Sequence, residues 1–442
     1  MPPKDPIIGF LSGHILGLSK RLDYFLHCHR EYGDFVHLKI ASLNVLMVSD
    51  PEAVNYVLKK NTKNYTKNTP AYKVVESVTG KGVFTQSEKP WLKLRKVSQP
   101  FFSNKQTENW ERIVESVCAD FLENCKEIST KGDEVNFSPK MTQYALRVLG
   151  ETIFDKDLGE HVEVFDQHLG KLIDITNKVI TQKLSLNLIS KMKQKREFKL
   201  AVENLERLIT TFIEEAKTKE HNPERNMIHA FLDAPFEVDH QFLLDQVKTM
   251  IFAGHETTST VLSWALHFLS IHPEWQERLC KEIEEVFSDG DIRASKLDEL
   301  VELEMFTNET MRLYPPAWSF ARRALEDDDI LGHQIKKGDV VSISPYLLHH
   351  DERYWEDPFI FNPMRFTREE TEKRHPVSFL PFGLGPRACI GEKLSRMEMK
   401  MLLSTLIRNF RLIPSKKVEV VMEQVLTLRP LNGVHLSLEK RD

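Results

Sequence analysis

The sequence predicts a mainly α-helical chain with a small β region, an α+β arrangement read as a single domain over residues 1–442. Apolar residues recur at the 3.6-residue helical period over most of the stretch from Pro51 to about Arg323. Runs rich in β-branched and apolar residues gather toward both ends instead. No Pro/Gly/Ser linker, charge block or internal repeat divides the chain, and an apolar fraction of 41% suffices for one large core.

Taken in order, Phe35 to Ser49 (FVHLKIASLNVLMVS) reads as a hairpin with polar Ser42 and Asn44 in its middle. Glu108 to Glu127 and Phe198 to Lys217 read as amphipathic helices, and His240 to Ile271 as a long helix stopped by Pro273. Ile330 to Ser344 returns to strand, with turns at Gly332 and Gly338. Asp351 to Arg387 is rich in Pro, Phe and charge without a period, and reads as ordered loop. A final helix over Glu392 to Arg408 precedes short strands at Lys417 to Val420 and Val434 to Leu438.

A net charge of −5 with scattered basic residues argues against nucleic acid as a partner. Five cysteines do not make a disulfide framework, so Cys28, Cys118, Cys125 and Cys280 read as ordinary thiols in a reducing compartment. Ile7 to Leu18 is too short and too interrupted to cross a bilayer, and Asp5 stands where a signal peptide would be basic. The chain therefore reads as soluble and cytoplasmic, without a transmembrane anchor. Pro2, Pro3 and Pro6 resemble the proline-rich hinge that follows the anchor in membrane-anchored proteins, so a trimmed anchor is the alternative.

The most informative segment is Phe382 to Gly391, FGLGPRACIG. Its glycines let backbone N–H groups turn toward a sulfur, and the helix beginning beyond Gly391 offers the positive end of its dipole to Cys389. Phe382 can shield the site, and Arg387 can answer an anionic group on whatever the sulfur holds. The spacing of Phe382, Gly385, Arg387, Cys389 and Gly391 resembles the haem-binding signature of the cytochrome P450 family, the haem-thiolate monooxygenases. The resemblance implies haem b with Cys389 as its proximal ligand, electron density from the thiolate favouring O–O cleavage. It also implies the family fold: a triangular helical body with a sheet-rich lobe, the haem lying between the long central helix and the cysteine-loop helix.

The long helix contains AGHETTST, Ala253 to Thr260, costly for a helix interior. Gly254 alone costs about 1 kcal/mol relative to Ala, and the hydroxyls compete for backbone hydrogen bonds. The expectation is a functional kink; a packing contact with another helix is the plainer reading. By resemblance, Ala253 and Gly254 make room for O2, Thr257 hydrogen-bonds the activated oxygen and its water, and Glu256 relays protons from bulk. His255-Glu256 does not continue into the HExxH of a zinc protease, because Ser259 stands where histidine is required.

Glu309 and Arg312 lie three apart, hence on one helix face, and resemble the family's ExxR pair. With Arg365 from NPMRF they would brace the loop bearing Cys389. Trp91 and Arg95, four apart, match the family's WxxxR, and Arg322, beside Arg323, falls where relatives keep a second propionate-binding arginine. Phe84, Phe252, Ala317, Trp318 and Leu426 are the implied pocket residues, along with the stretch from Leu172 to Leu188. Their apolar character implies a lipophilic substrate such as a terpenoid, steroid or lipid. Leu43 and Met47 stand where some fatty-acid hydroxylases carry a carboxylate-anchoring arginine–tyrosine pair, which argues against that anchoring mode.

The length leaves no room for a fused reductase, so electrons from NAD(P)H would arrive through a ferredoxin, flavodoxin or flavoprotein reductase. Lys93, Lys96, Lys393, Arg396 and Lys400 would give that partner a basic docking face. A peroxide-driven relative usually lacks the acid–alcohol pair, and a haem-thiolate sensor or carrier would not need Gly254, Glu256 and Thr257 together.

Overall fold

The protein is described by a computed structural model over residues 21–40, 43–165, 168, 170–172, 188–288 and 290–441. The N-terminal stretch from Ile7 to Leu18 and most of Leu172 to Leu188 lie outside the described residues. The helices that matter for the site are α1 (Arg21–Tyr32), α2 (Pro70–Thr79), α3 (Glu88–Ser98), α4 (Thr107–Lys131), α5 (Ser138–Phe154), α6 (Leu188–Thr218), α7 (His240–Ile271), α8 (Pro273–Val286), α9 (Val301–Leu313) and α10 (Glu392–Asn409).

Helix α7 runs through the middle of this body. Asp239 caps it by accepting from the Phe242 N–H, and Pro273 opens the next helix. It is buried over nearly its whole length, so its composition is apolar around much of its circumference rather than on one stripe. The helical assignment runs without interruption through AGHETTST. Thr257 Oγ1 donates to the Ala253 carbonyl at 2.9 Å, satisfying the hydroxyl on its own helix. A Cβ on Gly254 would lie 2.7 Å from Cδ1 of Leu149 in α5, so this glycine permits close helix packing.

Strands β1 (Phe35–Ile40) and β2 (Leu43–Val48) form the expected antiparallel hairpin, registered Phe35 to Val48. The sheet continues through β8 (Val340–Ile343), parallel to β2, to β5 (Phe320–Ala324) and β3 (Tyr65–Thr66), in the order β1-β2-β8-β5-β3. The helical reading to Arg323 overshot: α9 ends at Leu313, and Pro315-Pro316 separate it from β5. Strands β6 (Asp328–Ile330) and β7 (His333–Ile335) turn at Gly332. No strand forms over Lys417 to Val420; β9 (Phe410–Pro414) follows α10 directly and pairs with β12 (His435–Lys440), which also pairs with β4 (Val135–Asn136). A separate hairpin, β10 (Met422–Gln424) with β11 (Leu428–Pro430), reaches back to α7. Among the described residues no helix is long and apolar enough to cross a membrane.

Candidate functional site

Cys389 lies in the turn before α10, its N–H donating to the Phe382 carbonyl at 2.8 Å. Gly383 and Gly385 take φ of 72° and 74°, and a Cβ on Gly385 would meet the Leu58 carbonyl oxygen at 2.0 Å. Gly391 needs no such freedom: its φ is −92°, and its contribution is an N–H hydrogen-bonded to the sulfur. Cys389 is exposed by surface area, yet burial is the largest influence on its thiol. The sulfur therefore faces an interior space. Burial raises its pKa overall, outweighing the Gly391 N–H, Arg95 and Lys67, so the dipole does not by itself produce the expected thiolate. A coordinated cation would.

That space, about 90 Å³, is bounded by Ala253, Gly254 and Thr257 of α7 and by Cys389 and Gly391. Glu256 turns elsewhere. It lines a polar cleft of about 350 Å³ with Ser259, Thr260 and Arg429, and its carboxylate accepts from Thr427 Oγ1 at 2.9 Å. The expected carboxylate and hydroxyl side by side are thus on neighbouring faces of one helix.

Beside the cysteine loop, Trp91 and Arg95 on α3 turn toward the same place. The Arg387 guanidinium stacks on Trp91 at 3.8 Å and donates to the Gln86 carbonyl at 2.7 Å, while Arg95 reaches the Ala388 carbonyl at 3.4 Å. Arg322, rather than its neighbour, is the buried member of its pair, 3.4 Å from the Tyr72 hydroxyl. Lys67, not anticipated, is 7% exposed and donates to the Phe84 carbonyl at 2.9 Å. Burial first, then Arg322, Arg387 and Arg95, hold its ammonium well below the usual range; burial and Arg322 bring Arg387 down to about 10. Among the described residues no ion pair joins any of these cations to a carboxylate. Lys67 had no distinguishing signal, since Lys59, Lys60 and Lys63 crowd the same stretch.

This donor set fits a haem: a soft sulfur facing an interior space, and buried or half-buried cations without carboxylate partners, for which a porphyrin would supply two carboxylates. A propionate pair would relieve the mutual repulsion the chain leaves unanswered.

Glu309 and Arg312 are fully buried and bidentate, at 2.7 and 2.8 Å. Arg365 stands 3.5 Å from Glu309, while Arg312 also donates to the carbonyls of His349 and Pro358. The brace therefore holds the irregular loop and reaches toward the cysteine segment through His349. His349 Nε2 accepts from the Leu380 N–H at 2.8 Å, so its Nδ1 carries the proton toward the Arg312 carbonyl, 3.2 Å away. Phe84, Phe252 and Leu426 meet in one apolar cluster. Ala317 is exposed, and Trp318 packs instead with Leu22, Tyr346 and Leu428, so neither joins that cluster. Phe382 is partly buried, with Arg396 4.9 Å above its ring. Of the expected docking cations, Lys93, Lys96 and Lys393 are exposed, but Lys400 is buried against Glu304 and Arg396 is paired with Glu392.

The cytochrome P450 family profile matches residues 2–436. The chain belongs to the cytochrome P450 family. It is 30% identical to cytochrome P450 4V2 of Homo sapiens over 441 residues, covering 93% of this chain and 84% of that protein. Over 467 residues it is 29% identical to cytochrome P450 4V2 of Pongo abelii, covering 98% and 88%. It is 26% identical to cytochrome P450 3A11 of Mus musculus over 462 residues, covering 100% and 91%. As a cytochrome P450 it is a haem-thiolate monooxygenase acting on lipophilic small molecules, with thiolate-ligated haem b as cofactor and electrons that originate in NAD(P)H.

Proposed function

We propose that Cys389 is the haem thiolate, that Lys67, Arg95, Arg322 and Arg387 hold the propionates, and that Ala253, Gly254, Thr257 and Glu256 form the oxygen side. The observation that carries this reading is the sulfur facing an interior space under α7, beside buried cations without carboxylate partners. When bound, the haem supplies the activation of O2. Ala253 and Gly254 leave room beside the helix. The Thr257 hydroxyl, donating to Ala253, presents its oxygen to that room as an acceptor that keeps a water or oxygen-bound proton in position. Glu256, on the polar side, takes protons from the cleft. Phe84, Phe252 and Leu426 would bury a terpenoid, steroid or lipid and keep bulk water from the reacting atoms. The chain would act as one domain, since a single apolar cluster includes residues from Trp110 to Leu438. Electrons would enter from an acidic ferredoxin, flavodoxin or flavoprotein reductase docked at Lys93, Lys96 and Lys393.

The spectrum of the reduced protein under carbon monoxide tests the ligand assignment. The strongly red-shifted Soret band of a thiolate-ligated haem is expected, and its loss in Cys389→His; a variant that kept the band would remove Cys389 from this role. Thr257→Ala should keep the band and divert electrons to peroxide, with fully coupled turnover refuting its role. A screen of terpenoids, steroids and fatty acids for the low-to-high-spin shift then narrows the substrate class.

A further inference from the structure

Glu256 is held from outside its own helix. Between β10 and β11 the chain makes a tight turn closed by Val425 N–H donating to the Thr427 carbonyl at 3.0 Å. Two indoles clamp it: Trp318 Nε1 donates to the Val425 carbonyl at 3.1 Å, and Trp264 Nε1 to the Leu428 carbonyl at 2.7 Å. Thr427 sits between these anchors, 5% exposed, so its hydroxyl has little freedom of place. That hydroxyl donates to Glu256 Oε1 at 2.9 Å. The same cleft lined by Glu256 also meets Ser259, Thr260, Ser263 and Arg429, and it opens at the exposed Leu431 and Asn432. Glu256 thus lies between a surface cleft and the helix face that bears Thr257, and a long flexible carboxylate in that position needs a fixed partner to face either side reproducibly.

We propose that Thr427 is a positioning residue for Glu256, fixing from the β10–β11 turn the carboxyl orientation through which protons pass from the polar cleft. The proposal rests on the relay reading of Glu256 above. It adds that a contact from the sheet hairpin, outside α7, takes part in setting the orientation. The hydroxyl donates a hydrogen bond and does not itself exchange protons with the reacting atoms.

The test compares haem-loaded Thr427→Val, Thr427→Ser, Glu256→Gln and the Thr427→Val/Glu256→Gln double variant, each first checked for an intact reduced-carbon-monoxide spectrum. In infrared spectra of the resting protein, the carboxyl band lost in Glu256→Gln should shift in Thr427→Val and return in Thr427→Ser. With a ferredoxin–reductase pair and no added substrate, the share of consumed O2 released as peroxide should rise several-fold in Thr427→Val and in Glu256→Gln. It should rise no further in the double variant, because both changes act through one carboxylate. An unshifted band, or additive effects in the double variant, overturns the positioning role and leaves the relay standing. A wild-type peroxide share in Glu256→Gln removes the relay itself, and the proposal with it, even if the band shift confirms the contact.

Discussion

Two sets of charge lie inside this molecule, one fully buried and one buried or half-buried, and they are built oppositely. The Glu309–Arg312 pair is closed on itself: both carboxylate oxygens and the guanidinium nitrogens find partners, with Arg365, Asn362 and loop carbonyls taking the remainder. The group of Lys67, Arg95, Arg322 and Arg387 is open, its members bonded only to neutral partners and repelling one another. Burying charge costs several kcal/mol per ion unless an opposite charge answers it. A closed set serves the fold, whereas an open set is a cost that only an external anion repays. The contrast separates a self-contained brace from a charge set that lacks its counter-charge.

The largest expected effect breaks the closed set. Glu309→Gln leaves Arg312 charged and unpaired in a fully buried position, with an expected loss of about 3–5 kcal/mol read from the denaturant midpoint, accompanied by loss of haem. A midpoint within experimental error of wild type would mean that the brace does not support the fold. The open set should respond in the opposite direction. Because burial and three guanidiniums depress the Lys67 ammonium, the folded haem-free protein is destabilised by it at neutral pH, and Lys67→Met should raise the haem-free midpoint. The same variant should lose haem to a scavenger protein roughly ten- to a hundredfold faster, about the 1.5–3 kcal/mol of a hydrogen bond to a charged group. If Lys67→Met instead destabilised the haem-free protein as Glu309→Gln does, the distinction between the two sets would collapse.

Acid should act near the brace and α7 and leave the arginines untouched. Burial holds His255 down to about 4 and His350 to about 3, and keeps His349 well below the usual histidine range. Each is neutral when folded, while the unfolded chain takes up a proton near pH 6.5. Their stabilising contribution is complete above that value and is lost as pH falls toward the folded pKa values, roughly 2 kcal/mol for each of His255 and His350 by pH 5. Denaturant midpoints measured between pH 7 and 5 should fall accordingly, and His350→Gln should flatten the slope; an unchanged slope in that variant would exclude His350. The smallest effect belongs to exposed cations. Lys96→Glu with Lys393→Glu should change stability by less than about 0.5 kcal/mol yet slow reduction by an acidic partner at low salt. Unchanged reduction kinetics would reject this face as the docking site.

The parts of the site that were legible in the sequence are those contained in short windows. The FGLGPRACIG spacing, the three-residue step from Glu309 to Arg312 and the four-residue step from Trp91 to Arg95 are local patterns on a turn or one helix face. Lys67 was missed because nothing within its own stretch distinguishes a lysine that the fold will bury from the exposed ones beside it. His349 and Thr427 were missed for the same reason: each acts on a partner far away in sequence, Leu380 and Glu256 respectively. Gly254 has a benefit that a reading within its own helix does not show, the close approach of Leu149 from another. Strand β5 was read as helix because a short half-buried strand after two prolines has too few residues to establish a period.

By itself the sequence determined the helical body and the class of chemistry and singled out Cys389 as the candidate sulfur ligand, since those depend on residue types at fixed short spacings. The tertiary structure decided which cations surround the sulfur, that Glu256 faces a different space from Thr257, and that Trp318 belongs to the packing of the β10–β11 hairpin. These depend on burial and on approach between distant segments, and electrostatic cost exists only once the chain has excluded water.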